Sequence, residues 1–255
     1  MKLRHWFAAL CTAAALPALA AIEEHEIVLP DALGTAVVYS AATSTPGPAV
    51  IVVHEWWGLN DYARDRARQL AEAGYTAIAV DMYGHGQVAD HPNDAQAFMQ
   101  AALAEPEKMG ARFNAARAAL AAESNVDASR IYGVGYCFGG AVVLHQARMG
   151  ADLAGVASFH GSLGTTNPAQ AGAVKARILV ATGGADPMIP PDQVGNFVTE
   201  MSIAGADLKL LSFPGVVHSF TNPGATEVGK AHNMPLAYDE HADQASWKAL
   251  MDFIK

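Results

Sequence analysis

Cysteine is scarce. The 255-residue chain has two, Cys11 and Cys137. Cys11 falls in a segment that reads as a leader, so the mature protein keeps Cys137 alone and no intramolecular disulfide is possible. Clusters of Lys and Arg are also missing. The chain carries 25 acidic residues against 16 basic ones, a net charge of −9, which argues against nucleic acid or an anionic membrane as partner. Beyond the leader there is no apolar run long enough to span a bilayer, so no membrane anchorage of the mature form is expected. No Cys/His spacing suggests zinc, and "HEWWG" (54–58) departs from H-E-x-x-H because position 58 is Gly. Neither a metal nor a cofactor is expected. Internal repeats, low-complexity tracts and linkers are absent too. What remains is 51% hydrophobic and 16% charged, the composition of one ordinary globular domain, expected to act as a monomer on a small molecule.

The first twenty residues stand apart. Lys2 and Arg4 make a basic start, Trp6 to Leu16 an apolar stretch, and Ala18-Leu19-Ala20 a small-x-small cleavage site. Together they read as a secretory signal peptide, which leaves a single domain over 21–255 and a periplasmic or secreted location. Loss of Lys2 and Arg4 takes the charge two units below −9, to −11.

Strand and helix signals alternate along the rest. "HEIVLP" and "TAVVYS" read as short edge strands, possible partners in a hairpin. "AVIVVH" (49–54) and "TAIAVD" (76–81) are continuous apolar runs of the buried parallel type. "RIYGVG", "LAGVASFHG", "ARILVATGG" and "LKLLSFPG" follow. Helices are predicted over 61–73, over 93–122 in two pieces with Pro106 opening the second, over "GGAVVLHQARM" and "PPDQVGNFVTEMSIAG", and over 240–255. The stretch 221–239, rich in Asn, Pro and Gly, reads as a loop over a site. This alternation implies an α/β fold with a mostly parallel sheet and helices on both faces.

The chemistry centres on "YGVGYCFGGAVV" (132–143). Gly135-Tyr136-Cys137-Phe138-Gly139 follows a strand and opens a helix. That is a G-x-nucleophile-x-G elbow with cysteine in place of serine. The helix N-terminus there offers free N–H groups and a positive dipole end, which favour a thiolate and a developing oxyanion. The plainer reading is a packed cysteine beside a glycine turn. A dinucleotide fingerprint fails because position 138 is Phe. Asp186 in "GGADPMIP" and His218 in "VVHSF" also stand at strand ends, giving the order nucleophile, acid, histidine. The plainer reading of Asp186 is a turn or cap. His54 and His160 end strands and are candidate pocket liners, whereas His25, His91, His145, His232 and His241 read as surface or packing residues. Glu55, between His54 and Trp56-Trp57-Gly58, is a carboxyl whose burial is costly unless it is protonated or hydrogen-bonded.

In this order and spacing, "HEWWGLND", "DMYG", "GYCFGG", "GADPMIP" and "VHSF" resemble the dienelactone hydrolase family of α/β-hydrolases, over essentially the whole mature chain. The resemblance implies an α/β-hydrolase fold and cleavage of a small ester or lactone through a thioester. Cys137 would be the nucleophile, His218 the base and acid, and Asp186 its orienter. Glu55 would hold the resting thiol. The backbone N–H groups of Phe138 and Trp56 would form the oxyanion hole. The arginines with which well-known members grip a carboxylate are missing: the two positions read Tyr83-Gly84-His85-Gly86 and Thr221-Asn222-Pro223. Trp57, Tyr83, His85, His160 and Asn222 are therefore expected to line a more neutral pocket. A thioesterase or other acyl hydrolase on the same fold, and a non-catalytic ligand-binding protein, remain alternatives. A dithiol redox role lacks its second cysteine.

Overall fold

The computed structural model describes residues 21–41 and 45–255; the leader expected at 1–20 lies outside them. The described residues form an eight-stranded sheet in the order β1-β2-β4-β3-β5-β6-β7-β8. β1 (Ile22–Leu29) and β2 (Gly34–Ala41) make the antiparallel hairpin at one edge, and β2 runs antiparallel to β4 (Thr76–Val80). β3 (Gly47–Val53), β4, β5 (Val126–Tyr136), β6 (Gly155–Phe159), β7 (Arg177–Gly183) and β8 (Leu208–Phe213) are mutually parallel. β5 starts four residues before the expected Arg130, because Gly47 pairs with Val126 across a register shift.

Period-two alternation feeds two cores. Val50 and Val52 of β3 face α1 (Asp61–Glu72), in a core that α7 (Glu240–Phe253) also joins. Ile51 and Val53 face α3 (Pro106–Ala121) and α4 (Phe138–Arg148), in a core that α5 (Pro191–Ala204) also joins. Both faces are covered, which is why these strands read as unbroken apolar runs. Phe113 of α3 is fully buried, worth roughly 1.5–3 kcal/mol. Helix starts follow local chemistry: Asn60 caps α1 through Ala63 N at 3.3 Å, Asp239 caps α7 through Ala242 N at 2.8 Å, and prolines open α3, α5 and α2 (Pro92–Leu103). No helix among the described residues is long and apolar enough to cross a membrane.

One expectation fails here. The stretch 221–239 is not all loop, because α6 (Ala225–His232) forms within it and stops at Asn233 in the left-handed region. Asn tolerates that conformation and so serves as a helix stop. With only eight residues between Gly224 and Asn233, the segment offered too little periodicity to outweigh its Asn, Pro and Gly.

β4 lies on one side of β3 and β5 on the other, so the winding reverses at β3. In sheets of this kind the crevice outside the carboxyl ends of the strands, at the reversal, is where ligands bind. The loops after β3, β5, β7 and β8 meet there. The elbow after β5 depends on Gly135, where an added Cβ would overlap the carbonyl of Gly139 and the amide of Gly140. Gly135→Ala should therefore cost at least the upper end of the ~1–3 kcal/mol typical of overpacking, read as a lower urea midpoint at unchanged slope. Gly195→Ala, in open space on α5, should instead stabilise by roughly 0.5–1 kcal/mol.

Candidate active site

Cys137 sits between β5 and α4 with φ 53° and ψ −114°. For a residue other than glycine this is strained backbone, of order 1–3 kcal/mol, and the surroundings hold it there. Its N–H donates to Phe159 O at 2.9 Å, and the N–H of Gly139 donates to His54 O at 3.0 Å. A Cβ on Gly139 would overlap the carbonyls of Val53 and His54, so glycine lets α4 press against the end of β3. The Phe138 N–H, in the first turn, has no carbonyl within its helix to meet and lies at the positive end of the dipole.

Asp186 and His218, both buried, follow β7 and β8. His218 Nδ1 donates to Asp186 Oδ2 at 2.7 Å, and Met188 N donates to Asp186 Oδ1 at 2.8 Å. This leaves Nε2 for Cys137, although no hydrogen bond with complete geometry forms there. Such contacts are often loose before substrate binds. Burial alone would lower the His218 pKa; the neighbouring Cys137 and Asp186 outweigh it and push the pKa up to about 10. The three residues expected from sequence to act together are thus neighbours in space.

Glu55 does not hold the thiol as expected. Its Oε1 accepts from Ser219 Oγ and its Oε2 from Asn222 Nδ2, both at 2.7 Å, so its hydrogen bonds go to the loop after β8. Burial raises its pKa, while those two bonds and the charges of His218 and Arg66 restrain the rise. His54, the other residue at the end of β3, ties the β3 loop to the segment after β4. Met82 N donates to His54 Nε2 at 3.1 Å, so the ring proton sits on Nδ1, which donates to Glu55 O. Burial keeps this ring's pKa low.

The cavity beside Cys137 and His218 has a volume of about 440 Å³, and its walls include Trp56, Met99, Met188, Ile189, Met234 and Leu236. None of the five residues expected to line the pocket is in its wall. Tyr83 OH donates to Trp56 O at 2.8 Å, bracing the loop that carries the Trp56 amide. His85 is exposed at φ 62°, in a turn held by Asp81. His160 packs edge-on to His218 with ring centroids 5.2 Å apart, and its Nε2 meets Thr221 Oγ1 at 2.8 Å. Burial and the positive charge of His218 and Arg66 hold its pKa well below the ordinary value. Trp57 and Asn222 border a separate cavity of about 290 Å³ with Tyr62 and His232. Polar residues after strand ends were read as pocket liners, yet the chain uses them to tie its own loops together. The true wall comes from α2 and from the loops after β7 and α6, whose apolar side chains were visible in the sequence without any sign that they converge over Cys137. Ser219 was missed as well, its hydroxyl hidden inside the "VHSF" match. No group of side chains that could hold a metal ion occurs among the described residues.

The sequence model of the dienelactone hydrolase family matches residues 35–255. The chain belongs to this family. Relatives include a putative carboxymethylenebutenolidase of Methylorubrum extorquens, 28% identical over 242 residues (90% of this chain, 80% of the relative). Protein usf of Aquifex pyrophilus is 27% identical over 221 residues (85% and 91%). Among solved structures, a dienelactone hydrolase-like promiscuous phosphotriesterase from metagenomic libraries is 32% identical with a TM-score of 0.83, covering 92% of this chain and 98% of that one. As a member of the dienelactone hydrolase family the protein is an ester or lactone hydrolase with an α/β-hydrolase fold.

The raised His218 pKa has a measurable consequence. Its protonated ring should persist at pH 8 in ¹H–¹⁵N imidazole spectra. Cys137→Ala, which removes one of the two partners, should bring the pKa down. Because folding raises this pKa above the ordinary 6.5, the protonated ring contributes stability that is complete below 6.5 and is lost as pH rises through about 10. His218→Asn should flatten that part of the stability–pH curve.

Proposed function

We propose that the protein hydrolyses small uncharged esters or lactones through a Cys137–His218–Asp186 triad and a thioester acyl-enzyme. The observation that carries this reading is His218, bound to Asp186 through Nδ1 at 2.7 Å and presenting its other nitrogen to a cysteine on a strained elbow. The Cys137 thiolate attacks the carbonyl carbon, forming C–S, while the Phe138 and Trp56 N–H groups bind the oxyanion. Protonated His218 gives its proton to the departing alkoxide as the C–O bond breaks. Water then attacks the thioester, His218 takes its proton, and C–S cleavage releases the acid and restores the thiolate. Glu55 is a positioning residue, joining the Trp56 loop to the His218 loop.

The cavity walls contain no Lys or Arg, which favours an uncharged substrate. A neutral phosphotriester fits the same description, and a family relative 32% identical is a promiscuous phosphotriesterase. Export on the N-terminal leader is part of the proposal.

With p-nitrophenyl butyrate, wild type should show a burst and a Cys137 acyl adduct by mass spectrometry. Cys137→Ala and His218→Ala should each lose at least ~10³-fold in kcat. Retention of most activity by Cys137→Ala would show that another group is the nucleophile.

Substrate charge gives a second check. A charge-assisted hydrogen bond is worth about 1.5–3 kcal/mol, so a carboxylate with no cation to meet it should lower kcat/KM by roughly ten- to a hundredfold against a neutral ester of equal size. A measured preference for carboxylate-bearing lactones would contradict the uncharged-substrate reading.

A further inference from the structure

A second cavity adjoins the one at Cys137. It has a volume of about 190 Å³ and is bounded by Pro106, Met109, Val142, His145 and Thr165 among others. The two cavities share Leu103, Phe138, Ala141 and Gly164 as a common wall. Phe138, Ala141, Val142 and His145 recur at helical spacing, so they form one stripe along α4. From Phe138 to His145 that stripe runs about 10 Å, at ~1.5 Å per residue. It begins one residue beyond Cys137.

We propose that this stripe is the track of an acyl chain. The chain passes from Cys137 through the gap left by Ala141 and Gly164 into the second compartment, which makes unbranched, uncharged medium-chain acyl esters the preferred substrates. The inference rests on the hydrolase reading above and adds the substrate class and the residue that sets its length. Three features carry it. Leu103 and Phe138 are bulky, so among the four shared residues only Ala141 and Gly164 leave room for a chain. Leu103 and Met188, both in the wall of the first cavity, are 51% and 40% exposed overall, and a bound chain would shield the part that faces the cavity from water. The polar residues that bound the second cavity, His145, Gln146 and Arg148, lie toward the C-terminal end of α4, away from Cys137, and Arg148 is bound to Glu200 at 2.8 Å. An alkyl chain therefore has a defined end. The acyl side is the part assigned to the track because the thioester fixes the acyl carbonyl at Cys137, whereas the alcohol leaves in the first step.

The test is a series of p-nitrophenyl acetate, butyrate, octanoate and decanoate, with a parallel series of alkyl butyrates that varies the alcohol. In wild type, kcat/KM should rise roughly two- to fourfold per buried methylene until both compartments are full. Ala141→Leu closes the gap and His145→Trp fills the compartment from its other end. Each should lower the octanoate-to-butyrate ratio of kcat/KM at least ~tenfold. The ratio is insensitive to a general loss of active protein. A ratio unmoved within about twofold in both variants, or a length dependence confined to the alcohol series, overturns the proposal.

Decanamide binding to Cys137→Ala, followed by calorimetry, separates this inference from the reading beneath it. Adding Ala141→Leu should weaken that binding at least ~tenfold. If no ester is turned over and no acyl adduct forms, yet Ala141→Leu still blocks decanamide, the hydrolase reading falls and the acyl track stands. Turnover with Cys137 acylation but an unchanged chain-length ratio has the opposite meaning.

Discussion

The site depends on how closely α4 approaches the carboxyl end of β3. Gly139 has no side chain to keep them apart, and its N–H reaches His54 O at 3.0 Å. That contact brings the loop after β3 and the elbow after β5 into one unit, so the Trp56 and Phe138 amides belong to a single rigid edge. Any larger residue at 139 would move both. Strain at Cys137 is tolerated because the elbow is held from both sides, by Phe159 O at its amide and by β3 beneath the helix.

A second tie completes the assembly. Glu55, 1% exposed, joins the β3 loop to the β8 loop through Ser219 and Asn222. A buried carboxyl without partners would be costly, and here both oxygens are engaged. Behind it, Thr221 is bound by Tyr62, His160 and Arg66, and Arg66 is itself paired with Asp243 at 2.6 Å. His218 is therefore held by more than Asp186. The segment that follows it is anchored to the loop after β3, to the loop after β6 and to α1, whose Arg66 is paired with α7.

Much of the frame was legible in the sequence because parallel strands buried on both faces leave continuous apolar runs, and Pro106 marked where α3 begins. Cys137, Asp186 and His218 were legible for a related reason: Cys137 follows β5 directly, and Asp186 and His218 stand in the short loops after β7 and β8, so the strands bring all three to the same edge. The cavity wall was not. Met99 and Leu103 lie on a helix, Met188 and Met234 in loops, and their convergence depends on tertiary packing that no local period encodes. Polar residues were misread in the other direction. Tyr83 and Asn222 follow strand ends as catalytic residues do, but their hydrogen bonds are spent on backbone and carboxylate within the protein. α6 escaped notice because eight residues bounded by Gly and Asn look like a turn.

The methionines in the cavity wall have a further consequence. Met99, Met188 and Met234 stand around Cys137, and an unbranched thioether with three rotatable bonds adapts its shape at little cost. Such a wall tells ligands apart by bulk and wetness rather than by outline. Opposite the methionines, His218 is bound to Asp186 at 2.7 Å and the Cys137 amide to Phe159 O at 2.9 Å, both just past strand ends. The protein thus combines one inflexible half with one compliant half, so reaction geometry and ligand range can drift independently: a substitution among the methionines retunes what enters without disturbing what reacts.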